Sequence, residues 1–541
     1  MEDKKNPQNE GTTKQTPDSG VNNPSAAAVP TGATYYSPYI PRDKTPEYQA
    51  FKARVISPKG VIISVLSILL AILFTETILL GAAGISVPVF ALAFYSSLFY
   101  FFKESGKPFN KPAIYLTFPV FLLAFSFFLH YNPSTQFITW LTLISLVCIQ
   151  LVMLGNSPGE KLFSFDMLLK VLVNVMCRPF TNLAMPFISL EYLRGRKSKT
   201  SKNAILIFIG LAVSLPVALI LLGLFMSADA VFENAVNNLI NYIGVDFGNA
   251  FADILVGFFG GILLSAALLG LKYEDIKKRP AGTVGNCLDS LIVGTFLTII
   301  NILLIAFVGF QFAYLFGGTS NITLTDMSYA EYARRGFFEL TAASGLIFSI
   351  ALFVMVMTRK KGTHLPLWVK LCTVSLCLCN GVLLVSGMKR MLLYVDVYGL
   401  SVKRVLTLWF MCIIGLCLVW LLLKAFLPGV DAIKLIGITV VAGVCILSLT
   451  NTERLIARYN IDRYISSPNK ITLDVYHLGR LSYTTAPEIA RLKTTESKDG
   501  QYTQRDIVDI LNKQEKIYNS RNRLYGFTLD SIRAQEVFSE K

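Results

Sequence analysis

Long apolar runs alternate with short polar breaks along this chain, and the runs have the length a bilayer demands. About eleven of them lie between Gly60 and Thr450, at roughly 60–81, 85–102, 113–130, 137–154, 204–226, 254–271, 290–316, 336–357, 365–386, 405–427 and 433–450. A helix needs about 20 apolar residues to cross ~30 Å of hydrocarbon, and it satisfies its own backbone there. The pattern predicts an all-α, polytopic integral membrane helical bundle of about 11 transmembrane helices. The second, sixth and last runs are the weakest of the set.

Polar sequence flanks this region. Residues 1–59 are rich in Pro, Asn, Thr and Ser and read as a disordered cytoplasmic arm. The first apolar run is too long for the h-region of a cleaved signal, so it is expected to stay as a span. Residues 60–451 form the multi-span domain. Residues 452–541 mix short apolar groups with charge and read as a small helical tail, marginal by itself. Two loops carry apolar residues at helical spacing. In 164–192 they alternate with Asp166, Lys170, Asn174 and Arg178, which predicts a helix lying on the inner interface. In 228–253, Val231, Phe232, Ala235, Val236, Leu239 and Ile240 predict an outward interfacial helix.

Charge orients the runs. Lys52, Arg54 and Lys59 precede the first span; Lys103, Lys107 and Lys111 follow the second; Lys272, Lys277, Lys278 and Arg279 follow the sixth. The inward-positive rule puts these loops and the N-terminus inside. An odd number of spans then puts the tail outside. Past Phe316 the outward segments turn basic as well, with Arg334, Arg335, Lys389, Arg390, Lys403, Arg404, Arg454, Arg458 and Arg463. Cations kept on the side that normally lacks them point to a use there, and binding of an anion is the simplest one.

Composition agrees with a membrane protein: of 541 residues 53% are hydrophobic and only 16% charged. The net charge of +15 is spread over loops, which argues against nucleic acid and for contact with anionic lipid. Nine cysteines lie mostly inside spans and read as small buried hydrophobes. Three scattered histidines, with no HExxH and no Walker loop, give no metal site, cofactor or ATP chemistry to expect. No catalytic constellation is evident; His477 and Asp474 have nothing in the sequence to orient them.

Other residues stand out. Glu76 and Glu339 are carboxylates within spans, a costly placement that marks them. Asn301 and Asn380 lie mid-span and are expected to bond between helices. Gly257 and Gly261 form a GxxxG and predict close helix packing. Glu331, Arg335 and Glu339 recur at four-residue spacing, with Tyr332 beside Arg335, so one helix face would hold an arginine between carboxylates. Arg390, Tyr394 and Tyr398 share another face before Gly399, and Ser401 is placed to cap the helix carrying Arg404. Asn451 and Asn460 flank the arginines of the tail.

Several of these stretches resemble motifs of a bacterial membrane family catalogued as a domain of unknown function (4153/4173 type). They are Leu224–Phe232, Phe312–Gly318, Tyr329–Leu340, Leu393–Ser401 with Arg404, then Asn451, Ile456–Asn460 and Arg463, and Leu473–Leu478 with Ala486-Pro487. Ala230 stands where the family often has proline, and Ser401 where it often has threonine. The match runs in order from about 200 to 530. The resemblance implies a bacterial cytoplasmic-membrane protein of ten to twelve helices with no established activity. The leading functional expectation is binding or passage of an anionic envelope substrate at the outer face: a phospholipid, polyprenyl phosphate or cell-wall polymer. An ion-coupled secondary transporter and a membrane sensor or assembly partner are the alternatives. An enzyme acting on lipid-linked substrates ranks lower, because the first outer loop, at 82–85, is too short for an acidic pair.

Overall fold

A computed structural model describes residues 45–79, 82–103, 110–155, 163, 165–194, 247–274, 288–316, 337–359, 365–466, 473–495, 502–521 and 524–540, with scattered positions between 225 and 238. The chain folds as an all-α polytopic bundle. Nine helices among the described residues are long and apolar enough to cross a membrane, and Ser86–Phe102 is a shorter apolar helix. The expected span at 204–226 lies almost wholly outside the described residues.

Chain chemistry explains where the helices start and stop. The first, α1 (Pro46–Val55), begins with Thr45 accepting from the Tyr48 amide and Pro46 at the first position. It buries Phe51 and Val55, one turn apart, so the last part of the arm expected to be disordered is instead packed. Ser57 caps α2 (Pro58–Phe74), which runs on into a π turn, Thr75–Leu79. Then come α3 (Ser86–Phe102), α4 (Thr117–Leu129) and α5 (Pro133–Leu154). After a bent segment, Phe165–Arg194, follow α6 (Phe247–Tyr273), α7 (Ser290–Phe316), α8 (Phe337–Met357), α9 (Leu367–Tyr398), α10 (Val402–Phe426) and α11 (Ala432–Leu449). The outward helix expected at 228–253 is mostly outside the described residues, and from Phe247 on it belongs to α6.

Two apolar cores divide the bundle. One gathers α1 to α6 around Leu98, Leu123, Leu146, Val152 and Leu269. The other joins α7 to α10 around Leu297, Ala351, Leu376 and Leu421. Helix α11 belongs to both, with Val444 and Cys445 in the first and Ile436 in the second. Polar side chains inside the bundle bond between helices as their type demands. Asn301 Nδ2 reaches the Cys372 carbonyl on α9 at 3.0 Å, and Asn380 Nδ2 reaches the Ser344 carbonyl on α8 at 3.1 Å. Gly257 and Gly261 lie against α2, where an added Cβ would stand 2.6 Å from Ile72 Cα and 2.5 Å from Ile68 Cα. Cys148, Cys377, Cys417 and Cys445 are buried as small hydrophobes, while Cys177 and Cys412 are exposed.

The bundle has two distinct ends. At the arm end, Arg54 donates to the Tyr273 carbonyl and Lys59 to the Lys103 carbonyl. At the other, the tail folds as α12 (Thr452–Ser466), α13 (Gln504–Arg521) and α14 (Leu529–Ser539), with short turns between. Its core of Ile456, Tyr464, Tyr483, Ile489, Leu511 and Phe538 also takes in Tyr131 and Leu400 from the connections between spans. The tail is thus packed onto the bundle. The Ile85 amide donates to the Phe527 carbonyl at 3.0 Å, and Arg521 stacks over Tyr131 at 3.9 Å.

The segment expected as one interfacial helix at 164–192 is broken. A π turn at Leu172–Cys177 and prolines at 179 and 186, which cannot donate to the preceding turn, divide it into two arms bent by 67°.

Candidate functional site

The tail meets the bundle where α9 ends. At 32 residues α9 is about 48 Å long, well over the ~30 Å of hydrocarbon, so its last turns stand clear of the spans. It stops at Gly399, whose φ of +75° and ψ of −173° fall in a region open only to glycine. The turn is held from the tail. Asn460 Oδ1 accepts from the Leu400 amide at 2.8 Å, and its Nδ2 donates to the Leu400 carbonyl at 2.8 Å. A Cβ on Gly399 would clash with that same Oδ1.

Two of the expected anion ligands serve this helix end. Arg463 donates to the Val395 carbonyl at 2.8 Å and to that of Asp396. Arg404 reaches back to the Tyr398 carbonyl at 3.1 Å, and its guanidinium lies 4.1 Å over the Tyr394 ring. Tyr394 and Tyr398 pack edge to face at 5.0 Å. The last carbonyls of a helix carry partial negative charge and lack partners within it, so two cations there neutralise α9. Ser401 occupies the N-cap position of α10, yet its side chain makes no capping bond. Arg390 is half-buried on α9, two turns before this end.

A second group surrounds the start of α12. Asn451 caps it, its Oδ1 accepting from the Arg454 amide at 3.0 Å while its Nδ2 donates to Asp530 at 2.7 Å. Arg454 pairs with Glu488 at 3.1 Å and lies 3.8 Å from Asp530. Beside it a groove of about 910 Å³ opens, lined by Arg454, Arg458, Arg533, Asn451, Tyr459 and Asp462 among others. Arg458 and Arg533 are 70% and 62% exposed and pair with Asp462 and Asp530, four and three positions away.

Reading the sequence missed Glu453. It is 2% exposed, accepts from the Ser482 amide at 2.6 Å and from the Ser134 hydroxyl, and so joins tail to bundle. Its position in the first turn after a capping Asn was a visible signal; its distant partners were not. Nor did spacing point to Glu488, Asp530 or Arg533.

The expected constellation does not gather at one point. Arg454 and Arg458 line the groove, while Arg404 and Arg463 cap α9. Glu76 is exposed in the π turn of α2, and Glu339 is exposed in the first turn of α8. Glu331, Tyr332, Arg334 and Arg335 lie outside the described residues. Among the described residues no three His, Cys, Asp or Glu side chains group as metal ligands.

A protein family described as "Domain of unknown function (DUF4153)" matches residues 117–492. The chain belongs to this family. The match starts earlier than the motifs suggested and ends at 492, so it takes in α4 and α5 and stops within the tail. No curated protein and no solved structure matches this chain.

Proposed function

We propose that this integral membrane protein binds an anionic envelope molecule, a phospholipid or lipid-linked phosphate, in the groove at the start of α12. The observation that carries this reading is the company the three arginines keep. Two are well exposed; Arg458 pairs with exposed Asp462, a surface pair of low strength that a phosphate can replace, and Arg533 lies 3.5 Å from Asp530. The groove begins at Thr450, where α11 ends, so it opens at the edge of the spans. Exposed Ile446 one turn below and exposed Leu455 one turn above make an apolar track into it. Such a track suits a ligand that carries acyl or prenyl chains better than a soluble polymer.

Basic residues at the arm end, among them Lys52, Arg54, Lys59, Lys103 and Lys272, support a cytoplasmic placement for that end. On that reading the tail and groove face outward from a bacterial cytoplasmic membrane. The sensor or assembly reading is favoured by one observation, the sharing of the tail core with Tyr131 and Leu400.

The test is binding of a fluorescent phosphatidylglycerol to purified full-length protein. Arg458→Ala with Arg533→Ala should weaken it about tenfold or more, a loss of ~1.4 kcal/mol, while a phosphatidylcholine probe is unaffected. Unchanged phosphatidylglycerol binding in a folded double variant would remove the groove from the account.

A further inference from the structure

The bent segment between α5 and α6 starts and finishes at the arm end. Phe163 lays its ring against Gly437, near the start of α11, and Glu191 faces Lys52 of α1 at 4.0 Å. In between it penetrates. Ser189 Oγ meets Ser64 Oγ at 2.8 Å, and Ser64 lies about 9 Å along α2 from Pro58.

Its outward face is apolar, where a helix in water would be polar. The face turned to the protein is mixed: Asn174, Asn182 and Ser189 are almost fully buried beside Met167 and Met185, which join the first apolar core, and Arg178 lies among them. Asn182 Nδ2 donates to Glu274 Oε2 at 3.0 Å, and Arg178 Nη1 is 3.7 Å from the same oxygen. Asn174 Oδ1 is buried with no hydrogen-bond partner among the described residues. The face turned away is apolar: Leu168, Leu172, Met176 and Phe180 repeat every four residues, and Phe187 follows on the second arm. A helix lying in the headgroup layer turns its polar side to water. Here Asn182 and Arg178 turn inward to Glu274, and the outward positions Leu168, Leu172, Met176 and Phe180 offer water no polar side. Leu141 and Ile144 on α5 and Phe259 on α6 are likewise apolar and exposed.

From this apolar outward face we infer that residues 165–194 form a re-entrant hairpin set among the acyl chains of the leaflet at the arm end. Lipid is its partner on the outer face. Most of the inward polar groups have a protein partner, as a site poor in water requires: Asn174 Nδ2 donates to the Lys170 carbonyl, Asn182 to Glu274, and Ser189 meets Ser64. Phe163 and Glu191 place both ends of the segment at the arm end, so it adds no crossing.

The experiment places nitroxides at Leu172→Cys and Phe180→Cys in full-length protein in lipid vesicles. The exposed Cys177 and Cys412 are replaced by serine, and Lys513→Cys on the solvated face of α13 serves as the aqueous reference. Relaxation by dissolved oxygen and by a water-soluble nickel chelate is then compared. The expected oxygen-to-nickel ratio at both hairpin positions is several-fold above that at 513. Nickel access equal to that at 513 would overturn the inference in favour of water. Protection from both reagents, with spin–spin broadening between chains, would overturn it in favour of a second copy of the protein. Should either cysteine variant fail to fold, Leu168→Cys and Met176→Cys probe the same face.

Discussion

Three glycines within five positions of α6 carry opposite expectations. At Gly257 and Gly261 a Cβ would stand 2.6 and 2.5 Å from backbone atoms of α2; at Gly260 nothing lies within 4 Å. An ordinary carbon contact is ~3.5–4.0 Å. Ala at 257 or 261 must therefore push the helices apart by about 1 Å, against the backbone of α2 rather than a flexible side chain. Overpacking of this kind costs about 1–3 kcal/mol. Separation also loosens the side-chain contacts along the rest of this helix pair. Against that stands the helix-propensity gain of Ala over Gly, about 1 kcal/mol. The net expectation is a loss of ~1–2 kcal/mol at 257 and 261, and a gain of up to ~1 kcal/mol at 260. The assay is thermal unfolding of the three single variants in detergent, read by size-exclusion recovery after heating. Gly257→Ala and Gly261→Ala should fall below the parent and Gly260→Ala match or exceed it. If all three shift alike, the close α2–α6 packing is not what these glycines are for.

Glu453→Ala leaves the Ser482 amide and the Ser134 hydroxyl without their acceptor, a cost of about 2–5 kcal/mol; trypsin should then release the tail readily, while Glu453→Gln, which keeps one acceptor, shows a smaller effect. Gly399→Ala meets both a forbidden backbone conformation and the Asn460 oxygen, so cleavage between α9 and α10 should rise; resistance equal to the parent would argue against the tail's hold on this turn. His477 is held below its ordinary pKa first by burial, with Arg404 and Arg480 acting the same way and Asp474 and Glu453 opposing. The unfolded chain then binds the proton more readily, so this contribution is full above about pH 6.5 and is lost as pH falls through that value toward the folded pKa. Tail release should increase from pH 7.5 to 5.5 in the parent and less in His477→Gln; parallel slopes would exclude His477 as the source.

The membrane fold was legible because bilayer thickness sets a length that a linear chain displays. Apolar runs become helices at ten of the eleven expected places, even at the weak second run, which forms the 17-residue Ser86–Phe102. The candidate site was harder. Charge order pointed to Arg404, Arg454, Arg458 and Arg463 as a group, but their partners are set by folding: Glu488 is 34 positions from Arg454, and Val395 is 68 from Arg463. No local spacing rule reaches that far. The hairpin at 165–194 is a different failure. The four-residue recurrence of Asn174, Arg178 and Asn182 was in plain view, but periodicity does not say which face turns to the protein. Glu274, just past the end of α6, decides it.

The bond between Arg521 and the Tyr131 hydroxyl joins residues 390 positions apart. A ribosome adds roughly 5–20 residues per second. Tyr131 therefore waits roughly 20–80 s for its partner to exist at all, through the making of every later helix. During that interval the connections that the tail will cover are open to whatever else is present, including insertion machinery, proteases and lipid. The contact with the tail is a late event on the clock of synthesis. A chain whose tail fails to dock would keep that early exposure for its whole life, which offers the cell a simple mark of an unfinished molecule.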